Sequence, residues 1–309
     1  MLRYIIKRLL MAVATLWVIS TLTFILMHAL PNDPFTDPKL KPEVKQALRE
    51  KYGLDKPLSE QYVIYMKNLI KGDLGTSMKY PGRSVKDMIK TSFPKSFSLG
   101  WRALVIALVF GLLLGVIAAL NHQKTWDYLS IFIAIIGVSI PSIILGPILA
   151  YFFGVKLGWF PVTVDKTQLS LVLPSLTLGL SSLATISRLM RTTTLEVLGQ
   201  DYISTAKSKG LSKVQIVWKH VLRNAIMPII TILGPLFAAL ITGSIVVEKI
   251  FAVAGLGEYF VSTIWEKDYP MIMGITIFYA TLIILSMLAV DLAYGFIDPR
   301  LRVSKKGGK

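Results

Sequence analysis

Cysteine is absent from this 309-residue chain, which excludes disulfides and thiolate metal sites. Acidic residues are scarce, with 18 Asp and Glu against 34 Lys and Arg and a formal net charge of +16. In a soluble protein that imbalance would suggest nucleic acid, but no basic run is interleaved with the aromatics on which single strands stack. The cations lie instead at the ends of apolar runs, as they do in membrane proteins. We therefore expect a lipid bilayer, and no nucleic acid, around this chain.

The motifs of common enzymes are missing as well. The only Gly-Lys dipeptide is Gly308–Lys309, so no P-loop can form and the chain cannot hydrolyse ATP by that route. No His-Glu-x-x-His or Gly-x-Ser-x-Gly pattern occurs, and His28, His122 and His220 are isolated in the sequence. A zinc site or a serine nucleophile is therefore not predicted. We expect neither an enzyme nor a metal or cofactor site in this chain.

The sequence is rich in long apolar runs. Hydrophobic residues make up 53% of it and the mean hydropathy is +0.60, whereas a helix needs roughly 20 apolar residues to cross a bilayer. The stretches that reach or approach this length are Leu9–Met27, Ala103–Leu120, Tyr128–Val155, Thr167–Ser187, Asn224–Val247 and Met271–Val290. The sequence thus predicts an all-α, polytopic membrane protein with about six transmembrane helices.

Loop charge predicts the orientation of these spans. Lys and Arg are in excess before the first span, between the fourth and fifth, and after the sixth, so we expect both termini in the cytoplasm and the protein in the plasma membrane. Residues 31–95 are also basic, but loops beyond roughly 60 residues translocate largely regardless of charge. We therefore divide the chain into residues 1–30 with the first span, an extracellular insertion 31–95, a core 96–297, and a cytoplasmic tail 298–309.

The insertion is predicted to be structured. The alternative is a solvated loop with some helix. Glu43–Lys51 follows a proline and has apolar residues at helical spacing, and Tyr62–Ile70 repeats that pattern. Gly53 and Gly72 stand where helices commonly end. Two short amphipathic helices over the outer face are expected.

Ionisable residues are rare within the spans. Arg102, Arg188, Glu248 and Asp291 stand at or near span ends, where long side chains can reach the interface. A proton- or sodium-coupled carrier usually needs an acidic group near the midplane. If the chain transports a solute, we expect the energy to come from another protein.

The loop 191–224 between the fourth and fifth spans is predicted to form a helical hairpin. Asp201 can cap its first helix, Gly210 can end that helix in the left-handed conformation, and Ser212 can cap the next helix. Two interpretations of Arg188 and Arg191 remain open. They either anchor the end of the span as positive-inside residues, or they orient this loop.

This loop resembles a known motif. The run Asp201-Tyr-Ile-x-Thr-Ala206-x-x-x-Gly210-Leu211 is similar to the EAA motif of ABC-importer permeases, and more closely to its peptide/nickel branch. The general motif has Leu-Pro after the glycine, whereas here Leu222 is followed by Arg and the proline comes at Pro228, a form usual in the peptide/nickel branch.

Other resemblances extend over residues 3 to 302. The turn Gly72-Asp73-Leu74-Gly75-Thr-Ser resembles a signature of the B-type peptide permeases, although alone it is an ordinary tight turn. The start Arg3–Leu9, the segment Val247–Gly257 and the ending Asp298–Arg302 also resemble that family.

The resemblance implies a type I ABC importer permease fold. It implies a homologous C-type permease, two ATPase subunits that bind ATP and magnesium, an extracellular substrate-binding lipoprotein, and peptide as the substrate. It also implies that the loop docks on an ATPase through Glu196, Asp201, Tyr202, Thr205, Ala206, Lys209, Gly210, Leu211 and Ser212. The alternatives are nickel or another small solute within the same family and, more distantly, a secondary transporter.

Overall fold

The computed structural model describes residues 2–29, 34–35, 41–165 and 167–297, without the side chains of 2–5 and 291–297. The predicted ending Asp298–Arg302, the tail 298–309, residue 30 and two parts of the insertion (31–33 and 36–40) lie outside the described residues. Within the described part the chain is helical, and its one β pairing is an isolated bridge between Thr76 and Ser84. The all-α prediction is confirmed.

Fourteen α-helices are present in the described part of the chain. They are α1 Leu2–Ala29, α2 Pro42–Lys51, α3 Leu58–Ile70, α4 Val85–Leu120, α5 Thr125–Ser139, α6 Ser142–Leu149, α7 Val172–Leu198, α8 Asp201–Ser208, α9 Lys213–Ile216, α10 Leu222–Ala225, α11 Met227–Ile241, α12 Ile245–Ile250, α13 Leu256–Glu266 and α14 Tyr269–Ile297. Wider π turns continue α6 through Ala150–Lys156 and join α9 to α10 through Val217–Val221.

Among the described helices, four are long and apolar enough to cross a membrane unbroken: α1, α4, α7 with its preceding turn, and α14. The count is six if two bent pairs each form one span, the pair Thr125–Ser139 with Ser142–Lys156 and the pair Lys213–Ala225 with Met227–Ile241. The prediction of about six spans agrees with that count, but the third and fifth spans are not the single helices that the apolar runs suggested.

Proline breaks the third span. Ile140 takes extended backbone angles (φ −93°, ψ 115°) before Pro141, and the helices on either side are bent by 114°. A residue that precedes proline is pushed out of the helical region by the proline ring. The uncharged run Tyr128–Val155 is therefore two helices.

The fifth predicted span, Asn224–Val247, is divided at both ends. Pro228 stands in the first turn of α11, where its missing N–H costs nothing, and the chain bends by 51° there. Gly243 (φ +78°) follows the far end of α11, and Ser244 then caps α12 through the amide of Val247. The unbroken part of the run is only 15 residues long.

Internal contacts divide the chain into two compact units. The first comprises residues up to Pro94 together with Leu256–Ile284. In it, α2 and α3 are present as predicted, Gly53 (φ +68°) and Gly72 (φ +74°) are left-handed after them, and Tyr62 of α3 packs on Phe24 of α1. A buried cluster of Val85, Met88, Ile89, Leu256, Met271 and Ile275 forms a second part of its core.

The second unit comprises Lys95–Gly255 and the chain from Leu285 onward. Here α4 and α7 approach closely because glycine stands at the contact. A Cβ at Gly115 would lie 2.6 Å from both the Cβ of Met190 and the carbonyl oxygen of Ser187. Gly111, one turn earlier, meets Ile186 in the same way. Small residues at this spacing are typical of helix pairs in membranes.

Candidate functional site

An ion pair fixes α7 at the point where the predicted loop begins. Arg191 Nε donates to Oδ1 of Asp127 at 2.6 Å, and its Nη2 donates to Oδ2 at 2.8 Å. Asp127 is 1% exposed and also accepts from the amide of Gln123, while His122 Nδ1 lies 3.2 Å from Oδ2. A buried carboxylate with a two-pronged guanidinium partner favours the orienting interpretation of Arg191.

The predicted helical hairpin is present after this pair. α7 ends at Gly199, α8 runs from Asp201 to Ser208, and Gly210 has the expected left-handed φ of +79°. Ser212 and Gln215 form a reciprocal capping box at the start of α9. The predicted cap by Asp201 is wrong, since Gln200 holds the cap position without a side-chain bond and Asp201 is the first helical residue. Its carboxylate still lies in the first turn, where the helix dipole stabilises negative charge.

The hairpin has two arms, α8 before Gly210 and α9 with the π turn Val217–Val221 and α10 after it, and the two arms share a small core. Ile203, Ala206, Ile216 and Val221 are buried together, and Leu211 packs against them. Ala206, which the motif resemblance placed on a docking face, is only 5% exposed. Its small side chain is accounted for by packing between α8 and the helix that follows, so in this chain Ala206 is not available at the surface.

Of the other predicted loop residues, Leu211 is half-buried and the rest are exposed. The exposed ones are Glu196, Asp201, Tyr202, Thr205, Lys209, Gly210 and Ser212. The hydroxyl of Tyr202 accepts a hydrogen bond from Asn224 Nδ2 at 3.1 Å, which joins the two arms.

Sequence reasoning missed two large apolar residues on the second arm. Val214 and Trp218 are 66% and 70% exposed, one helical turn apart. Their i, i+4 spacing in a helix with lysines on both sides was the available signal.

The turn Gly72–Ser77 of the predicted insertion, called the outer turn below, is bonded to the buried carboxylate of Asp268. Asp73 accepts from the amide of Gly75, which has φ +81°. Two residues later Ser77 is fully buried and donates its hydroxyl to Asp268. Asp268 is also fully buried and accepts from the amide of Met78 at 3.1 Å. The Gly-Asp-Leu-Gly-x-Ser pattern therefore has a structural reason, because its turn presents the serine to Asp268.

Leu74 and Tyr52 complete this region. Leu74 packs on the cluster around Val85 and Met271. The Tyr52 hydroxyl donates to the carbonyl of Ser77 at 2.9 Å. Burial raises the pKa of the Tyr52 phenol above its ordinary value, and the nearby Asp268 carboxylate raises it further.

Glu248 does not reach an interface, contrary to the sequence-based expectation. It is 1% exposed and accepts a hydrogen bond from Ser96 Oγ at 2.7 Å. Gly243 and Gly255 pack so closely on its carboxylate that a side chain at either position would collide with it. The resemblance to the Val247–Gly257 segment of the permeases thus coincides with a buried acidic residue enclosed by glycine.

Nothing in the described residues groups three or more potential metal ligands from His, Asp and Glu. The arrangement offers a rigid ion pair, an exposed hairpin and a packed helical core.

Two family models match the chain. Residues 1–100 match "Binding-prot-dependent transport system membrane comp, N-term", and residues 111–303 match "Binding-protein-dependent transport system inner membrane component". The chain belongs to this transport family. It is a multi-pass inner-membrane permease subunit of an ABC importer, and it is a transport component and not an enzyme. A member of this family works with a binding protein and with further components of its transport system.

Curated relatives match this chain along almost its whole length. It is 49% identical over 308 residues to a dipeptide transport system permease protein of Bacillus subtilis, covering 99% of this chain and all of the relative. It is 42% and 38% identical to oligopeptide transport system permease proteins of Haemophilus influenzae and Escherichia coli, covering 98% of this chain and all of each relative.

A solved structure has a similar fold. The MetNI methionine ABC transporter in an inward-facing conformation matches with a TM-score of 0.56 and 19% identity, over 68% of this chain and 96% of that one. Together with the family match, this likeness confirms the predicted importer permease fold.

Proposed function

We propose that this chain and a homologous C-type permease together form the pathway of an ABC importer for dipeptides or oligopeptides. An extracellular binding lipoprotein delivers the peptide, and two ATPase subunits bind ATP and magnesium. The observation that supports peptide as the substrate is 49% identity over 308 residues to a dipeptide permease. The relatives named above are dipeptide and oligopeptide permeases, so they do not favour nickel.

We place both termini and the hairpin in the cytoplasm, with the outer turn and its insertion outside. The charge of the hairpin supports this orientation, since exposed cations line both of its arms. They are Lys207, Lys209, Lys213, Lys219 and Arg223.

The hairpin is proposed to dock on an ATPase subunit. Its exposed residues Tyr202, Thr205, Lys209 and Gly210 would contact the partner, while Ala206 holds the two arms together. Because the arms share one core, the hairpin can move as a unit when the ATPases change conformation. ATP drives transport only if it binds the two conformations with different free energies.

Reconstitution of the full transporter in liposomes tests the substrate and the energy source. Labelled dipeptide and tetrapeptide should accumulate only with binding protein, ATPases and ATP present, and unlabelled peptide should compete while nickel should not. Accumulation of nickel instead of peptide would overturn the substrate. Peptide uptake that persists without any ATPase subunit would indicate a secondary transporter.

Gly210 offers a specific test of docking. A Cβ there would meet nothing within 4 Å in this chain, and Asn tolerates left-handed angles. Gly210→Asn should therefore leave the hairpin folded but reduce co-purification of the ATPase and peptide uptake. Gly82→Asn is the matched control, since Gly82 has φ +76° and open space but lies far along the chain from the hairpin. Equal behaviour of the two variants would place the docking surface elsewhere.

A further inference from the structure

The exposed face of α7 differs from that of the other long apolar helices. The structure describes all residues of α7, and every exposed one is polar. These residues are Ser181, Thr185, Arg188, Thr192 and Glu196. Their spacing of four, three, four and four residues puts them on one face of the helix. We call this set the polar stripe of α7.

Neighbouring helices expose the opposite chemistry. The exposed residues of α5 include Phe132 (60%) and Ile135 (50%), and those of α4 include Leu113 (54%) and Val109 (47%). Such faces suit lipid, which cannot hydrogen-bond to hydroxyls or solvate a guanidinium. No large apolar side chain of α7 is among the exposed ones.

Two hydroxyls of the stripe bond to their own helix, Thr185 to the carbonyl of Ser181 and Thr192 to that of Arg188. The guanidinium of Arg188 is different. No described acidic side chain pairs with it, whereas Arg191, one turn away, is held by Asp127. Arg188 and Arg191 also border a cavity of about 260 Å³, which Ser130 and Ser187 line together with the apolar side chains of Ile131, Ala134 and Ile135. A charged side chain on an exposed membrane helix usually faces a water-filled cavity or a polar ligand.

We propose that the polar stripe of α7 from Ser181 to Thr192 lines the hydrated peptide pathway and that Arg188 contacts the carboxylate of the passing peptide. The inference rests on the proposed function, since it names the face of this chain that meets the peptide. Peptides carry amide donors and acceptors along their length and a carboxylate at one end. Hydroxyls and a guanidinium supply matching groups without an apolar surface that would retain the peptide. α11 packs against α7, and its exposed side chains are all small: Thr231, Pro235 and Ala239.

Single cysteines test where the stripe lies, because the chain has none of its own. Ser181→Cys, Thr185→Cys and Thr192→Cys would be compared with the controls Leu113→Cys and Phe132→Cys in the assembled transporter. The probe is methanethiosulfonate ethylammonium, which reacts with thiolate. The stripe cysteines should react at least about tenfold faster than the controls, because thiolate forms only where water reaches the sulfur. Peptide together with binding protein and ATP should slow that reaction.

Rates equal to those of the controls would place the stripe in lipid and overturn the proposal. Protection that requires only the second permease, regardless of peptide, would place it in a subunit interface and overturn it as well. In either case, peptide uptake by the unmodified transporter would show that the proposed function still stands. Absence of that uptake would remove the proposed function itself.

Arg188 is tested through the substrate. Uptake of a dipeptide with a free carboxylate would be divided by uptake of its C-terminal amide, with the same binding protein throughout. Arg188→Gln should lower this ratio about tenfold, since a hydrogen bond between charged groups is lost. Arg188→Lys should retain part of it. A ratio unchanged in Arg188→Gln, at normal membrane levels, would exclude contact with the carboxylate.

Discussion

Arg191 and Asp127 are 64 positions apart in the sequence, yet both oxygens of the Asp127 carboxylate accept from the Arg191 guanidinium. The pair joins the first turn of α5 to the part of α7 that leads into the hairpin. Because Asp127 is 1% exposed, its charge depends on these bonds for stabilisation.

Arg191→Gln should lower the free energy of unfolding by about 3 kcal/mol, because a buried carboxylate loses its charged partner. Arg191→Lys should recover only part of it, since an ammonium cannot make the two-pronged contact. Thermal unfolding of the purified protein in detergent measures both. Arg223→Gln, at an exposed arginine, is the control and should change stability by no more than about 0.5 kcal/mol. Similar losses at both positions would contradict a specific role for Arg191.

Ser77→Ala should destabilise the outer turn by about 1–3 kcal/mol, because Asp268 loses a donor in a buried site. The amide of Tyr80 donates to the Ser77 hydroxyl at 2.8 Å, so its hydrogen exchange should become faster. Mass-spectrometric exchange over residues 76–80 detects the change. Ser59→Ala, an exposed serine on α3, should leave that exchange unaltered. An unaltered rate in Ser77→Ala would show that the serine does not hold this turn.

Gly115→Ala should lower stability by about 1–3 kcal/mol, because the added methyl group forces α4 and α7 apart. Gly199→Ala provides the comparison, since its added carbon would meet Glu196 at an ordinary 3.5 Å. Membrane level and unfolding temperature would be measured for both. If Gly115→Ala is as stable as Gly199→Ala, the close approach of the two helices is not needed for folding.

The proposed orientation makes a labelling prediction. Lys56→Cys and Lys71→Cys, both at exposed positions, should react with an impermeant thiol reagent applied to intact cells. Lys213→Cys should react only after the membrane is permeabilised, because it lies in the basic hairpin. The reverse pattern would invert the topology derived from loop charge.

Local features were predictable from the sequence because their causes are local. Gly210 follows the helix that it ends, and Ser212 precedes the helix that it begins. Their backbone roles could therefore be stated without knowledge of the fold. Pro141 was visible in the third apolar run, but run length alone treated the segment as one span. The bend of 114° shows that the proline decided the geometry.

Long-range pairs could not be predicted, since nothing in one sequence joins residues so far apart. Ser77 and Asp268 are 191 positions apart, and Glu248 and Ser96 are 152 apart. The error about Ala206 has the same origin. Its small size was consistent with a docking face or with packing, and only the position of Ile216 and Val221 against it decides for packing.

α7 is an unbroken helix of 27 residues from Val172 to Leu198, and this has a mechanical consequence. At about 1.5 Å per residue it is a rod about 40 Å long, so a tilt of about 10° displaces one end from the other by about 7 Å. Such a rod amplifies a small angular change into a movement larger than the width of a side chain. Asp127 binds α7 near its C-terminal end, through Arg191, so α7 would pivot at this ion pair when it tilts.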